Sequence, residues 1–215
     1  MQCVSDLGKL KDCVIGRTRV LRQVALPIAA PFSHAERRDL AFVTIELDNL
    51  IVVSLRQYAK SCLLGSRTAA GTRITTSVTP ATPEEAAALV YQSLELVAYT
   101  KMNSPTTVPE KKELVIRNPK RVEKVMIDYA ASNLSNFQLA LSLNALVFSE
   151  VKTCRHFFSH RMRNTAEEVE KLAYDMGVVK FEGAEQFIAR GRPSTGVRII
   201  DGWLADIENF IDLAS

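Results

Sequence analysis

The sequence predicts an all-α protein, a helical bundle with two long loops. Apolar residues recur at the spacing of an amphipathic helix through most of the chain. In the first long stretch of this kind the apolar positions are Ala41, Phe42, Ile45, Val52 and Leu55. Prolines, glycines and threonines are concentrated in residues 65–83 and 103–118, which are therefore predicted as the two loops.

Capping residues set the predicted helix ends in the first third of the chain. A short helix near residues 5–23 leads into an extended joint. Ser33 is placed to cap a long helix over residues 35–64, which ends before Gly65 because glycine tolerates the left-handed conformation that follows a helix. Within the first loop, residues 74–78 favour a short strand, although nothing nearby is an obvious pairing partner.

Three helices are predicted in the middle of the chain. Thr82 and Pro83 open a helix over residues 84–102, since proline is well tolerated at the first helical position. Two more helices are predicted at residues 119–131 and 133–158. In the last of these, apolar residues recur at helical spacing at Phe137, Leu141, Ala145 and Phe148.

A capping-box pattern marks the next helix. Thr165 followed three residues later by Glu168 predicts a helix that begins at Ala166 and stops before Gly177.

The end of the chain carries two more predicted helices. One lies near residues 184–190, and Asp201 is expected to cap the last. The predicted organisation is an N-terminal extension with a short helix at residues 1–34 and one helical domain at residues 35–215.

Composition is that of a soluble globular domain. The chain has 215 residues, of which 47% are hydrophobic and 24% are charged. No apolar run approaches the length needed to span a bilayer, so no membrane partner is expected. The first residues lack the basic and then apolar pattern of a secretory signal, which favours a cytoplasmic location.

Four cysteines are scattered along the chain: Cys3, Cys13, Cys62 and Cys154. None forms a Cys-x-x-Cys pair, which argues against a zinc knuckle or a disulfide framework. Buried free thiols are predicted instead.

The residues with the clearest chemical potential are 155–161, which read Arg-His-Phe-Phe-Ser-His-Arg and are named here the Arg-His segment. An imidazole exchanges protons near neutral pH, and a guanidinium holds a phosphate through paired hydrogen bonds. Together these groups meet the needs of a phosphodiester-cleaving site that works without metal.

Basic residues surround this segment although the net charge of the chain is only +3. Lys152, Arg155, Arg161 and Arg163 lie within twelve residues that contain no acid. This patch is either a surface for RNA or a face exposed to water.

The Arg-His segment and its flanks resemble the HEPN family, the small all-helical domains of prokaryotic defence and toxin–antitoxin systems. The family's mark is an Arg, usually followed by a polar residue, and a His after four to six intervening residues. Arg155, His156 and His160 match it, and the aromatic pair before Ser-His-Arg and the following Asn-Thr-Ala-Glu-Glu-Val extend the likeness. The Arg-Gly-Arg-Pro stretch before the helix of Trp203 resembles the family's tail, so that the likeness covers residues 36–213. His156 departs from the usual Asn or Asp, and Ser159 from the frequent Ala.

The resemblance implies a HEPN-like helical bundle that acts as a metal-independent endoribonuclease. His160 would be the general base or acid, Arg155 would orient the scissile phosphate, and His156 would be a second proton-transfer group or an orienting donor. RNA contacts are expected from Lys152, Arg161 and Arg163, and supporting roles from Glu46, Asn49 and Ser159. It also implies a homodimer with a shared cleft and an antitoxin or nucleotidyltransferase partner; no cofactor and no metal are expected.

Other readings of the same residues stay open. One is a catalytically silent HEPN-like module that binds RNA, a nucleotide or a protein, and another is a helical dimerisation module. Arg155 and His160 also suit a helix C-terminus without catalysis, where a cation is favourable by about 0.3–1 kcal/mol. His156 and His160 have the spacing of a helical zinc pair, for which Cys154 is the only nearby third ligand.

The polar residues of the first long helix have two readings as well. Glu46, Asn49 and Arg56 form a stripe along that helix. This stripe either faces water or faces the Arg-His segment, with Glu46 orienting an Arg or a His.

Overall fold

The computed structural model describes residues 6–215, and in these residues the backbone forms ten α-helices, one 3₁₀ turn and no β-strand. The all-α prediction is therefore confirmed. The helices are α1 Leu7–Ala25, α2 His34–Leu63, α3 Pro83–Leu94, α4 Leu96–Lys101, α5 Pro119–Asp128, α6 Leu134–Ser142, α7 Val147–His160, α8 Arg163–Asp175, α9 Ala184–Ala189 and α10 Ile199–Ala214.

The described residues divide into two compact units. The first unit contains residues 6–14, 51–144 and 210–215, and the second contains residues 15–50 and 145–209. Between residues 6 and 215, none of the helices has the combination of length and apolar composition that crossing a membrane requires.

An aromatic cluster forms the centre of the first unit. The ring centroids of Tyr58 and Phe137 lie 5.0 Å apart, and those of Phe137 and Phe210 lie 5.5 Å apart in an edge-to-face arrangement. The buried Tyr58 hydroxyl donates to the carbonyl of Ala214 at 2.5 Å and accepts from the Asn133 side-chain amide at 2.9 Å. Burial raises the pKa of the Tyr58 phenol, and it raises the pKa of the Cys62 thiol to about 12.

The core of the second unit is built from the apolar faces of its helices. Its buried residues include Leu40, Val43 and Leu47 of α2, Val151 and Phe158 of α7, Val169 of α8, Phe187 of α9, and Ile200, Trp203 and Ile207 of α10.

Several predicted caps are confirmed. The Ser33 hydroxyl accepts from the amide of Glu36 at 3.2 Å, and the Glu36 carboxylate accepts from the amide of Ser33 at 2.7 Å. Thr82 accepts from the amide of Glu85 and is followed by a proline at the start of α3. The predicted glycine stops after α2 and α8 also hold, because Gly65 and Gly177 have φ angles of 71° and 83°.

Two predicted helices are each broken in two. Glu95, with φ −139° and ψ 51°, separates α3 from α4 within the helix predicted at residues 84–102. The helix predicted at residues 133–158 becomes α6 and α7, because Asn144 adopts a φ of 49° that ends the helical path. Asparagine tolerates this left-handed conformation better than most residues. Apolar spacing continued across both breaks and therefore gave no sign of them.

Two predicted caps are wrong, as is the predicted strand. Thr165 does not begin α8, which starts at Arg163; its hydroxyl accepts from the backbone amide of Met162 at 3.2 Å. Asp201 lies inside the first turn of α10 and binds the guanidinium of Arg198. Residues 74–78 form no strand, although the amide of Ile74 donates to the carbonyl of Ser66.

The cysteines are free thiols where they are described. Cys62 and Cys154 are buried as predicted, but Cys13 is exposed. Cys3 and the predicted start of the first helix at residue 5 lie outside the described residues.

We expect Tyr58→Phe to destabilise the protein by about 1–3 kcal/mol, because it removes a buried hydroxyl that bonds both the Ala214 carbonyl and the Asn133 amide. Urea unfolding followed by circular dichroism measures this loss. Tyr174→Phe is the matched control, since Tyr174 is half exposed and its hydroxyl binds Glu170 at the surface. Equal stability of the two variants would show that the Tyr58 hydroxyl does not contribute to the stability of the fold.

Candidate functional site at the end of α7

The Arg-His segment forms the last turn and a half of α7 together with the residue that ends it. Arg161 has φ 48° and ψ 37°, a left-handed conformation that stops the helix, and its amide donates to the carbonyl of Phe157 at 2.6 Å. The next helix begins two residues later, at Arg163. The segment therefore lies at a helix terminus, as the sequence predicted.

The two histidines of the segment lie side by side on one face of α7. Their ring centroids are 5.0 Å apart and the rings meet edge to face at 83°. This follows from their spacing of four residues, which places side chains on adjacent turns of a helix. His160 is exposed and His156 is half-buried, whereas Cys154 and Phe158 face the core. Both imidazoles are thus open to a ligand from solvent.

Arg155 is anchored by a buried carboxylate. Its Nε lies 3.6 Å from Oδ2 of Asp48 on α2, which is an ion-pair distance rather than a hydrogen bond. The Asp48 side chain is only 1% exposed, whereas that of Arg155 is 32% exposed. The guanidinium is therefore ion-paired on its buried side and still reaches solvent.

Asp48 was missed by the sequence analysis, although the sequence carries a signal for it. The residue falls on the apolar stripe of α2, three positions after Ile45 and four before Val52. A carboxylate on an apolar stripe is buried on folding, and a buried charge needs a partner.

Glu46 and Asn49 do not bear out the one of the two readings in which Glu46 orients a residue of the Arg-His segment. Glu46 instead accepts from Arg17 of α1 at 2.7 Å, and the Asn49 amide donates to Glu46 at 3.3 Å. Arg56, the third residue of that stripe, belongs to the first unit and pairs with Glu113.

The remaining predicted site residues lie on α7, directly after it and at the start of α8. Lys152, Ser159, Arg161 and Arg163 are exposed. Arg163 is engaged by Glu167 on the next turn of α8 at 2.8 Å. Glu168, which the sequence analysis assigned to helix capping, instead lies 3.4 Å from Nδ1 of His156.

A second buried carboxylate, that of Glu150, lies five residues before Arg155 on the same helix. Both oxygens of Glu150 accept from Arg192, at 3.0 and 2.6 Å, and one of them also accepts from the indole N–H of Trp203 at 2.7 Å. These hydrogen bonds raise the pKa of the Arg192 guanidinium. Burial, together with the charge of Glu150, raises the pKa of Cys154. The sequence analysis singled out Trp203 but did not find its partner.

Among the described residues, the end of α7 does not provide three ligands for a metal ion. Among residues 6–215 no three His, Cys, Asp or Glu side chains are close enough to share a metal ion. Cys154, the third ligand considered beside His156 and His160, points into the core and is fully buried.

Comparisons of the chain with protein-family models, with curated proteins and with solved structures found no match. The resemblance to HEPN domains therefore rests on the residues of the Arg-His segment and its flanks. What the site does is inferred from its geometry.

We expect Glu150→Gln to lower the free energy of unfolding by about 3–5 kcal/mol, because it removes the charged partner of a largely buried ion pair with Arg192. Chemical denaturation measures the change. Glu167→Gln is the control: it breaks an exposed pair with Arg163, and such pairs contribute about 0–1 kcal/mol. If both variants lose the same small amount, the Glu150 cluster does not stabilise the fold.

Proposed function

We propose that this protein is a HEPN-type, metal-independent endoribonuclease of a defence or toxin–antitoxin system. The observation that carries the proposal is the grouping at the end of α7. Two neighbouring imidazoles open to solvent lie on the same turn and a half as a guanidinium that a buried carboxylate anchors. Proton transfer and phosphate binding are the two activities that this set combines.

The reaction uses the nucleophile that RNA itself supplies. The ribose 2′-oxygen attacks the adjacent phosphorus, and one imidazole takes the 2′-hydroxyl proton. The bond from phosphorus to the 5′-oxygen breaks, and the leaving oxygen receives a proton from the second imidazole. The products are a 2′,3′-cyclic phosphate and a 5′-hydroxyl. Arg155 stabilises the negative charge that builds up on the phosphate oxygens.

Assignment of the two proton transfers follows from the surroundings of each ring. His160 is the more exposed of the two residues and is the last residue of α7. His156 has the Glu168 carboxylate beside its Nδ1, which favours a proton on that nitrogen and leaves Nε2 to exchange protons with substrate. We assign His160 as the principal acid–base group and His156 as the second.

A homodimer is part of the proposal. One chain supplies one Arg-His segment, and the HEPN resemblance implies two segments that line a shared cleft. An antitoxin or nucleotidyltransferase partner would control such an enzyme. Light scattering that shows a monomer at tens of micromolar would count against the shared cleft.

His160→Ala should lower the rate of RNA cleavage by about 10²–10⁴-fold, the usual contribution of a general acid–base group. The assay is cleavage of total RNA by the purified protein in EDTA, which should not change the rate. His34→Ala is the matched control, because His34 is exposed at the start of α2, outside the Arg-His segment. Full activity in His160→Ala would end this mechanism. RNA binding without cleavage by the wild type would favour the silent binding module instead.

Arg155→Lys should fail to restore the activity lost in Arg155→Ala. Lysine keeps the charge but lacks the planar fork that binds two phosphate oxygens at once. DNA of the same sequence should be bound at most, since it lacks the attacking 2′-hydroxyl. Efficient cleavage of a deoxy substrate would show that the nucleophile is assigned wrongly.

Asp48→Asn should reduce kcat by up to about a hundredfold with little change in KM, because it loosens the orientation of Arg155 without removing a phosphate-binding group. Asp212→Asn controls for loss of a carboxylate elsewhere, as it removes only an exposed pair with Lys11. A change in KM alone, with kcat unaltered, would contradict a positioning role for Asp48.

A further inference from the structure

A groove of about 430 Å³ lies in the second unit. It is formed by the joint that follows α1 and by the chain between the end of α8 and the end of α9. None of its lining residues belongs to the Arg-His segment. Sites for small organic molecules commonly measure about 300–1,000 Å³, so the groove has the size of a ligand site.

The lining of the groove is mostly apolar. Nine of its thirteen residues have apolar side chains. Ile28, Val178 and Phe187 are buried, whereas Phe32 and Phe181 stay half-buried and leave aromatic surface open to the groove. Such a surface favours the aliphatic or aromatic body of a ligand, because binding removes apolar area from water on both sides.

The charged side chains of the groove leave one cation in surplus. Its charged residues are Lys180, Glu182 and Arg190. The Lys180 ammonium lies 2.8 Å from the Glu182 carboxylate, so these two charges offset each other. Arg190 donates one long hydrogen bond, 3.5 Å, to the carbonyl of Lys180, and its charge also acts on the Glu182 carboxylate, which leaves a net charge of one cation among the three side chains. A guanidinium has five N–H donors, and after this hydrogen bond enough donors remain to bind a carboxylate through two hydrogen bonds.

We propose that this groove binds a small amphipathic anion, an aliphatic or aromatic body that carries one carboxylate. The apolar lining receives the body, and Arg190 at the exposed edge receives the carboxylate. A ligand with many polar groups would leave most of them unpaired, since Gln186 is the only uncharged polar side chain of the lining. A wholly apolar ligand would gain nothing from Arg190.

The test uses the full chain and the fluorescent anion 8-anilinonaphthalene-1-sulfonate, which is displaced by decanoate or by decan-1-ol. Decanoate and decan-1-ol share the same chain and differ in charge, so their ratio of affinities reports the contribution of the cation. Arg190→Gln removes the cation, and Ala29→Trp fills the groove from an exposed position of its lining. Lys171→Gln is the control, since it removes an exposed cation of α8 outside the groove.

The proposal predicts that decanoate displaces the dye at a single site and that Arg190→Gln weakens decanoate by about tenfold while decan-1-ol is unchanged. Ala29→Trp should abolish displacement by both compounds with helicity intact, and Lys171→Gln should behave as wild type. Equal affinity of decanoate for wild type and Arg190→Gln, or displacement that survives Ala29→Trp, would overturn it. Absence of any displaceable dye would also overturn it, whatever the outcome of the RNA assays.

Discussion

The carboxylate of Glu150 is the group on which the second unit depends. It lies on the buried face of α7 and accepts three hydrogen bonds, two from Arg192 and one from Trp203. A carboxylate taken out of water is costly unless its oxygens are satisfied, and here both are. The cluster also fixes three parts of the chain against one another: α7, the loop before α10, and α10 itself. Burial also raises the pKa of the neighbouring Asp206 carboxyl.

This anchoring determines what α7 can present to solvent. Val147, Glu150, Cys154 and Phe158 recur at intervals of three and four and occupy its buried face. Arg155, His156 and His160 must then lie on the flanks and the outer face. The helix places the site five residues beyond its anchor, a rise of about 7.5 Å along the axis. A site at a helix end needs such a fixed point, because helix termini fray more readily than their centres.

The sequence predicted those features that arise from short-range chemistry. Helix class, the caps at Ser33 and Thr82, and the position of the Arg-His segment at a helix terminus follow from local residue types. The breaks at Glu95 and Asn144 were missed because apolar spacing runs through them, and only tertiary packing decides where such a stretch turns. The partner of Arg155 was missed for a related reason. Spacing shows that Asp48 is buried, but it does not show which cation, far away in the sequence, will meet it.

Two arginines of this unit meet buried carboxylates, and they differ in how much of the guanidinium stays open to solvent. Arg192 gives two hydrogen bonds to Glu150 in a bidentate pair, and its side chain is only 13% exposed, so that little of its guanidinium reaches solvent. Arg155 meets Asp48 through Nε at the longer distance of 3.6 Å and keeps 32% of its side chain exposed. A guanidinium that is ion-paired on its buried side and exposed on its other side is suited to bind a phosphate, whereas an enclosed guanidinium is not. The same comparison applies to the two neighbouring acids of α2. Glu46 pairs with Arg17 at the surface, where solvent screens the interaction, whereas Asp48 pairs with Arg155 from within the core.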